Sequence, residues 1–291
     1  MIFSPARLFT SSRKGADDIE NEDGVLAAET PWGTVLAVID GMTQQTEWRV
    51  SLPQGAVTSG WLAKEAVLSE AQALAPDNAA EFLPRVFARW QELRAIHDIP
   101  PSEIIGAAFA VYIPWLNEVH RLADCAYGFE AEGAWQPAFE GFADAGPLVR
   151  LRAEVIQRLA VSCDRHDTKA RRDLAWQGWE ALQQARRIRH FQQGSWVSDI
   201  DRVQREFQRI PVPPDTRRIV LCTDGFPAVP RSLEEALALL EDIRREDPLT
   251  AGFMTRGGKP ALSAKGFIDP GRDDVLPYLD DVAFIEAVKS S

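Results

Sequence analysis

The order of apolar segments predicts an α+β protein, because runs of strands and runs of helices follow one another without strict alternation. Short strand-like segments come first, and two helical patterns, further strands and further helices follow. The segments 37–42 and 219–226 each contain a short apolar run that ends abruptly in Asp-Gly. Runs of this kind are typical of strands buried on both faces, and the glycine allows a sharp turn.

The first half of the chain predicts three strands, at 6–10, 24–28 and 34–39, before two amphipathic helices. The apolar stripe of the first helix consists of Val57, Trp61, Leu62 and Leu68. The stripe of the second helix consists of Phe82, Val86, Phe87, Trp90 and Leu93. Pro100 and Pro101 end the helical pattern. Residues 107–113 and 118–123 then predict an antiparallel strand pair.

The second half predicts one helix beginning near Leu148 and a longer one over 169–190. Prolines 211, 213 and 214 mark a loop before the second Asp-Gly strand. Ser232 and Glu235 form a capping box at the start of a further helix. The apolar stripe of that helix consists of Leu233, Leu237, Leu240 and Ile243. Residues 257–272 are rich in glycine, proline and lysine and predict a loop.

Composition limits the class of protein. The 291 residues, 45% of them hydrophobic, support a sizeable core, and the absence of a linker favours one domain over 1–291. A net charge of −11 disfavours nucleic acid or an anionic membrane as partner. The three cysteines form no zinc or disulfide pattern, and we expect Cys125 and Cys222 to be small core residues. Because the chain starts without a signal-peptide pattern, we expect a cytoplasmic protein, and its oligomeric state stays open.

Four acidic clusters stand next to predicted strands: Asn21-Glu22-Asp23, Asp40, Asp224 and Asp280-Asp281. A carboxylate at the end of a buried strand is costly unless something pairs with it, and a shared cation is the simplest partner. Donor sets made only of oxygen suit Mg²⁺ or Mn²⁺ rather than zinc. Two such ions can hold a water and lower its pKa for attack on phosphorus.

The order of the clusters resembles the PPM family, the metal-dependent type 2C serine/threonine protein phosphatases. That family shows Asn-Glu/Gln-Asp, a strand ending Asp-Gly-Met, a Gly-Asp-Ser strand, Ser/Thr-Asp-Gly and a final Asp-Asn or Asp-Asp. The matching segments are Asn21-Glu22-Asp23, Asp40-Gly41-Met42, Ala123-Asp124-Cys125, Thr223-Asp224-Gly225 and Asp280-Asp281. One such motif is weak, because Asp-Gly is also ordinary turn chemistry, but five in order along nearly the whole chain are specific.

The resemblance implies a fold, a reaction and a partner. The fold is a four-layer α-β-β-α sandwich, in which two packed antiparallel sheets are flanked by helix pairs. The reaction is hydrolysis of phosphoserine or phosphothreonine in proteins by a water activated at a binuclear Mg²⁺ or Mn²⁺ centre. A small phosphoester is a second possible substrate within the same class of enzyme.

The resemblance also implies which residues bind the ions. Asp40 bridges two ions and Gly41 contributes its carbonyl oxygen, while Asp224 and Asp280 complete the shell of the first ion. Asp40, Asp224 and Asp280 are therefore the residues on which catalysis is expected to depend.

The second ion is expected at Glu22 and Asp23, directly or through water, with Asp281 supporting the ligands from behind. Asp124 matches the aspartate that helps to hold a third, weaker ion in the family. Ala123 and Cys125 replace the glycine and serine beside that aspartate, and Ala228 stands where a later aspartate is common. These departures disfavour a third ion.

Two further departures concern the surroundings of the metals. Thr43 and Gln44 replace two glycines after Met42, so the neighbouring loop has a different shape. Asp18 occupies roughly the place of a phosphate-binding arginine, and Arg13 and Lys14 are the nearest cations. Phosphate capture by these cations and capture by the metals alone both remain open.

The sequence leaves two classes of function to weigh. One is the phosphatase, and the other is a phosphatase-like binding or regulatory module with little or no turnover. The altered loop favours the module, but the retained acidic clusters favour the enzyme, since clustered carboxylates are costly without a use. The tryptophans and arginines of 170–190 predict a helix with an apolar and a solvated face, because a net-acidic chain argues against a nucleic-acid surface.

Overall fold

The computed structural model describes residues 3–11, 21–42, 48–138, 200–226, 228–246 and 281–289, and five isolated helical positions between 155 and 184. The strands of this part are β1 (Phe3–Ser11), β2 (Asp23–Thr30), β3 (Gly33–Gly41), β4 (Val50–Leu52), β5 (Gly55–Val57), β6 (Ala107–Ile113), β7 (Glu118–Leu122), β8 (Ala126–Ala131), β9 (Ala134–Ala138), β10 (Phe207–Pro211), β11 (Arg218–Cys222) and β12 (Val282–Lys289). Its helices are α1 (Ser59–Gln72), α2 (Phe82–Ile96), α3 (Ile200–Glu206) and α4 (Leu233–Glu246).

Ten of these strands form two five-stranded sheets. Sheet I has the order β1-β12-β11-β8-β9, and sheet II has the order β10-β7-β6-β3-β2. Neighbouring strands are antiparallel in both sheets. The remaining two strands, β4 and β5, form a separate small hairpin before α1. Strands close to the two ends of the described chain, β1 and β12, pair with each other in sheet I.

Three apolar clusters define four layers. The first lies between sheet II and the pair α1–α2, where Val67, Trp90 and Phe109 are buried. The second lies between the two sheets. The third lies between sheet I and α4, where Leu240 packs near Phe284. The predicted α+β class and the α-β-β-α layering are therefore confirmed, with α4 as the described helix on the outer face of sheet I.

Strand β3 is central to this arrangement because it is buried on both faces. Val35, Ala37 and Ile39 belong to the cluster under the helices. Leu36 and Val38 belong to the cluster between the sheets. This alternation explains why the sequence shows a continuous apolar run instead of an apolar-polar pattern. It also means that the chain leaves the core abruptly at Asp40.

The predictions for the first 123 residues are largely confirmed, with one correction. Val57 does not belong to the stripe of the first helix, because it ends β5 and the helix begins two residues later. Thr58 separates the two elements as the N-cap of α1, and its side chain accepts a hydrogen bond from the Trp61 amide. Val57 is nevertheless buried. Its apolar character matched the helical spacing, although the residue belongs to a strand.

The prolines before β11 led to a second error. Pro211 was expected in a loop, but it ends β10, which pairs with β7 at the edge of sheet II. An edge strand tolerates proline because one side of its ladder needs no amide donor. Strands β4, β5, β8 and β9 were not predicted at all. Gly128 of β8 lies under the Trp135 ring of β9, where any Cβ atom would collide with the ring.

Helix α4 begins as predicted, and its buried face departs from the predicted stripe at Leu237. The Glu235 amide donates to the Ser232 hydroxyl at 3.3 Å, as a capping box requires. Its carboxylate accepts from the Arg231 amide at 2.8 Å instead of the Ser232 amide. Leu240 is buried as predicted, and Leu233 packs against the same cluster. Leu237, which was also expected in the apolar stripe, is 40% exposed, and Ala236 is buried instead.

Several predictions fall outside the described residues. The predicted helices beyond Leu148 and over 169–190 are represented there by five helical positions: Val155, Arg158, Gln177, Ala181 and Gln184. The predicted loop at 257–272 lies wholly outside them. Across the described segments, the helices are too short or too polar to cross a membrane.

His120 of β7 is a buried histidine in an edge region of sheet II. Its ring meets the Phe207 ring edge-on, with centroids 5.4 Å apart, and its Nε2 lies 3.0 Å from Glu118 Oε2. Burial lowers the pKa of His120 below its ordinary value of 6.5, and the charge of Arg209 lowers it further. The hydrogen bond and the charge of Glu118 offset part of this shift. The folded protein therefore holds His120 neutral at neutral pH.

This neutral histidine predicts a pH dependence of stability. The unfolded chain protonates His120 at a higher pH than the folded protein does. Above the ordinary pKa of 6.5, His120 is neutral in both states and the free energy of unfolding has its full value. It falls as the pH drops from there towards the lowered pKa. We expect His120→Gln to show a shallower decline in urea denaturation between about pH 7 and about pH 5.5. His97→Gln, at a partly exposed position, serves as control and should follow the wild type; identical profiles for all three proteins would contradict the prediction.

Candidate metal centre

Three aspartates from both sheets meet at one end of the sandwich. Asp40 lies at the end of β3 in sheet II, and Asp224 lies in the turn after β11 in sheet I. Asp124 lies between β7 of sheet II and β8 of sheet I, where the chain crosses from one sheet to the other. One carboxylate oxygen of each residue lies within 4.8 Å of the other two. All three side chains are partly exposed, so a solvent-borne ion can reach them.

The turn that carries Asp124 has an unusual backbone. Ala123 has a φ of 62°, in the left-handed region that alanine rarely adopts. Such a conformation costs about 1–2 kcal/mol for a residue with a Cβ atom. The following Cys125 is buried in the cluster between the sheets. The strained turn therefore holds Asp124 between a buried strand and a buried cysteine.

Asp23 adds a fourth carboxylate to the same end of the sandwich. It is the first residue of β2 and stands directly opposite Asp40 in the antiparallel ladder. Like charges in directly opposite positions destabilise a sheet unless something compensates them. The Asp23 amide donates to the Asn21 side chain at 2.9 Å, and Asn21 in turn donates to Thr10 of β1 at 2.8 Å. The start of β2 is thus anchored to sheet I.

Glu22 is held by three parts of the chain that are distant in sequence. Its amide donates to Asp281 Oδ2 at 2.8 Å, and its carbonyl oxygen accepts from the Gly41 amide at 2.9 Å. Its carboxylate accepts from the Thr58 hydroxyl at 2.6 Å. With 2% of its surface exposed, Glu22 is a buried acid next to Asp23 and Asp40.

Two glycines allow backbones to approach each other at the site. A Cβ atom on Gly41 would lie 2.5 Å from the Gly60 carbonyl oxygen and 2.8 Å from that of Glu22. A Cβ atom on Gly225 would collide with the Asp281 carbonyl oxygen. The glycine of each Asp-Gly pair therefore packs against backbone, which explains why no larger residue follows these aspartates.

The negative charge of the aspartates also affects the thiol of Cys125. Burial raises the pKa of the Cys125 thiol well above its ordinary value. The negative charges of Asp40, Asp124, Asp23 and Asp224 raise it further, in that order. The thiol is consequently protonated and inert, and the four carboxylates form one concentration of negative charge.

The donor set fits a divalent cation. The four described aspartates at this end of the sandwich offer carboxylate oxygen, which is the preferred ligand of Mg²⁺, Mn²⁺ and Ca²⁺. Ligand distances of about 2.0–2.6 Å are compatible with oxygens that lie within 4.8 Å of one another. A bound cation would also compensate the repulsion between the carboxylates.

The structure brings together most of the residues that the sequence singled out. Asp40, Asp124 and Asp224 share one cluster, and Glu22, Asp23 and Gly41 adjoin it through the contacts above. Asp124, which the family resemblance assigned only to a weaker third ion, is a full member of this cluster. Asp281 contacts the Glu22 amide, whereas Asp280 lies outside the described residues. Arg13, Lys14, Asp18, Thr43 and Gln44 also lie outside them.

Sequence reasoning missed the residues at the start of α1. Thr58 contacts Glu22, and Ser59 donates a hydrogen bond to the buried Glu103 at 2.6 Å. A threonine directly before an apolar helical pattern is an N-cap signal, and this signal could have identified Thr58 as the helix start. Its contact with Glu22 spans 36 positions and has no local signature.

Comparison with known proteins gives similarity to solved structures alone. No family model and no curated protein matches the sequence. A bacterial serine phosphatase is 12% identical, with 99% of both chains covered and a TM-score of 0.49. Serine/threonine phosphatase Stp1 from Staphylococcus aureus is 13% identical, with 100% of this chain and 97% of that chain covered and a TM-score of 0.49.

A third similar structure is the catalytic domain of serine threonine protein phosphatase PstP in complex with two manganese ions. It is 14% identical, with 99% of this chain and 98% of that chain covered and a TM-score of 0.43. All three proteins are named serine or serine/threonine phosphatases. Similarity at this level gives no residue-by-residue correspondence, so the chemistry of the site follows from the side chains of this chain.

The close approach at Gly41 predicts the effect of adding one methyl group. Gly41→Ala places a Cβ atom against the fixed backbone of Gly60 and Glu22, so we expect the free energy of unfolding to fall by about 3 kcal/mol. Gly133→Ala is the matched control, because its Cβ atom meets nothing within 4 Å and only its φ of +74° is unfavourable. We expect this control to cost about 1 kcal/mol in urea denaturation. Equal losses in both variants would contradict the prediction, because they would show that the backbone around Gly41 can move to accommodate a Cβ atom.

Proposed function

We propose that the protein is a metal-dependent phosphatase that hydrolyses phosphoserine or phosphothreonine in proteins. The observation that carries the proposal is the meeting of Asp40, Asp124 and Asp224 from two sheets within 4.8 Å. Three like charges held this close need a cation, and phosphoryl transfer is chemistry that oxygen-bound divalent cations support. The order of the five acidic motifs along the chain supports the same class.

The proposed ligands follow from the sequence and the contacts together. Asp40 would bind both Mn²⁺ or Mg²⁺ ions, and Asp224, Asp280 and the Gly41 carbonyl oxygen would bind the first. Glu22 and Asp23 would serve the second ion, and Asp124 would contribute from the turn between the sheets. Ions bound there would hold a water, lower its pKa and stabilise the charge that develops on the phosphoryl group.

The chain itself supplies position and accessibility. The aspartates stand at the ends of strands, where ladder hydrogen bonds and the apolar core restrict their backbones. They are partly exposed, so a phosphorylated side chain can approach from solvent while Glu22 behind them stays buried. A rigid site of this kind holds reactants in place and lowers the entropic part of the barrier.

Dependence on metal tests the proposal. We expect hydrolysis of p-nitrophenyl phosphate and of a phosphothreonine peptide to require added Mn²⁺ or Mg²⁺, to vanish after EDTA treatment and to return with Mn²⁺. The reason is that the proposed donors are all oxygen, so a divalent cation has to supply the charge that activates the water. Full activity after exhaustive EDTA treatment would contradict the proposal. Negligible turnover of both substrates with metal bound would instead favour the binding module.

The variant Asp40→Asn separates charge from shape. It should abolish Mn²⁺-dependent hydrolysis, since a neutral amide is a poor bridging ligand. In EDTA the same variant should unfold at a temperature about 2 °C higher than the wild type, because one of several repelling charges is gone. Scanning calorimetry measures the second effect. Asp77→Asn, at an exposed turn, is the control for loss of one negative charge and should change neither property. Wild-type hydrolysis by Asp40→Asn would show that Asp40 is only a turn residue.

A further inference from the structure

One hydroxyl group connects the start of α1 to the metal centre. Thr58 is buried, and its Oγ1 donates a hydrogen bond to Glu22 Oε1 at 2.6 Å. The same Oγ1 accepts a hydrogen bond from the Trp61 amide at 3.0 Å and so caps the helix. A hydroxyl has a single proton to donate. Thr58 therefore acts as donor towards the carboxylate and as acceptor towards the helix at the same time.

The start of α1 is itself fixed from the opposite side. Ser59 donates a hydrogen bond to Glu103 Oε1 at 2.6 Å, and Glu103 is completely buried. Arg94 of α2 holds the segment around Glu103 by donating to the carbonyl oxygens of Ile99, Pro100 and Glu103. The first turn of α1 thus cannot shift without breaking buried polar contacts, each of which is costly to leave unmade.

The backbone of α1 also packs tightly against the Glu22 carboxylate. A Cβ atom on Gly60 would lie 3.0 Å from Glu22 Oε1 and would overlap the Met42 carbonyl oxygen. The Glu22 backbone is held in turn by Gly41 and Asp281. The position of the Glu22 carboxylate is consequently set by α1 on one side and by two strand ends on the other.

We propose that Thr58 is a positioning residue, which fixes the orientation of the Glu22 carboxylate and thereby couples α1 to metal binding. The inference rests on the proposed function, in which Glu22 serves the second ion. A side chain that orients a metal-binding group from behind commonly changes metal affinity as strongly as a ligand does. The helix cap alone would give Thr58 a role in stability and none in metal binding, so the two roles can be separated.

Three substitutions separate them. Thr58→Ser keeps both hydrogen bonds, and Thr58→Val keeps the shape but loses both. Thr58→Asp keeps a good N-cap acceptor, but as a carboxylate it has no proton for Glu22 and repels it. We expect Mn²⁺ affinity, measured by titration calorimetry on EDTA-stripped protein, to be unchanged in Thr58→Ser. In the other two variants we expect it to fall by about tenfold or more.

A matched control removes a helix cap elsewhere. Ser232→Ala deletes the N-cap of α4, on the outer face of sheet I, and should lower stability while leaving Mn²⁺ affinity at the wild-type value. If Thr58→Val fails to fold, Thr58→Asp decides the question, because it retains the cap. Wild-type affinity in Thr58→Asp would overturn the inference and leave the proposed function standing. A wild-type protein that binds no Mn²⁺ would overturn the proposed function and the inference with it.

A second measurement needs no metal. In EDTA, the losses of unfolding free energy in Thr58→Val and Glu22→Met should not add up in the double variant, because each removes the same hydrogen bond: methionine keeps the length of the side chain but has no oxygen to accept from Thr58. The pair Ser232→Ala and Glu22→Met should be additive, since Ser232 caps α4 on the outer face of sheet I, whereas Glu22 contacts the start of α1 in the opposite helical layer. Additivity in the Thr58–Glu22 pair would show that the hydroxyl does not hold the carboxylate.

Discussion

Repulsion between carboxylates is the interaction around which this end of the sandwich is organised. Two unit charges about 4 Å apart repel each other by about 4 kcal/mol at an effective dielectric constant of 20. Asp40, Asp124 and Asp224 approach each other to within 4.8 Å, and Asp23 faces Asp40 across a ladder. The two sheets hold these groups together only because their strand ends are anchored in cores on both sides. Under the proposed function, a divalent cation would offset this repulsion, and the carboxylates would become its ligands.

The helices matter to the site as much as the sheets do. Helix α1 packs against sheet II through an apolar face, and its first turn reaches the strand ends closely enough that Gly41 and Gly60 touch through their backbones. The buried polar contacts of Thr58 and Ser59 then connect this turn to Glu22 and Glu103. The outer helical layer therefore lines the candidate metal centre on one side. A shift of α1 would change the position of the Glu22 carboxylate.

Local sequence information predicted those elements whose burial is symmetrical or whose ends carry strong signals. Strand β3 is continuously apolar and ends in Asp-Gly, and β6 is likewise buried along its whole length. Strands β8, β9 and β10 escaped prediction because their form depends on partners: Gly128 makes room for Trp135, and Pro211 is tolerated at a sheet edge. Leu237 was misplaced because helical spacing identifies a possible apolar face, whereas the sheet beneath decides which residues of that face are covered.

The sequence by itself determined which residue types stand at the strand ends and therefore which chemistry we propose, since a shared cation is the simplest partner of carboxylates after buried runs and oxygen donors suit a hard one. The tertiary structure decided which carboxylates meet. Asp124 joined Asp40 and Asp224 because the crossover between the sheets carries it there, although its flanking residues pointed to a lesser role. The contact between Glu22 and Asp281 spans 259 positions. Local periodicity places a residue at the end of a strand, but only the packing of whole sheets brings the ends of distant strands to one point.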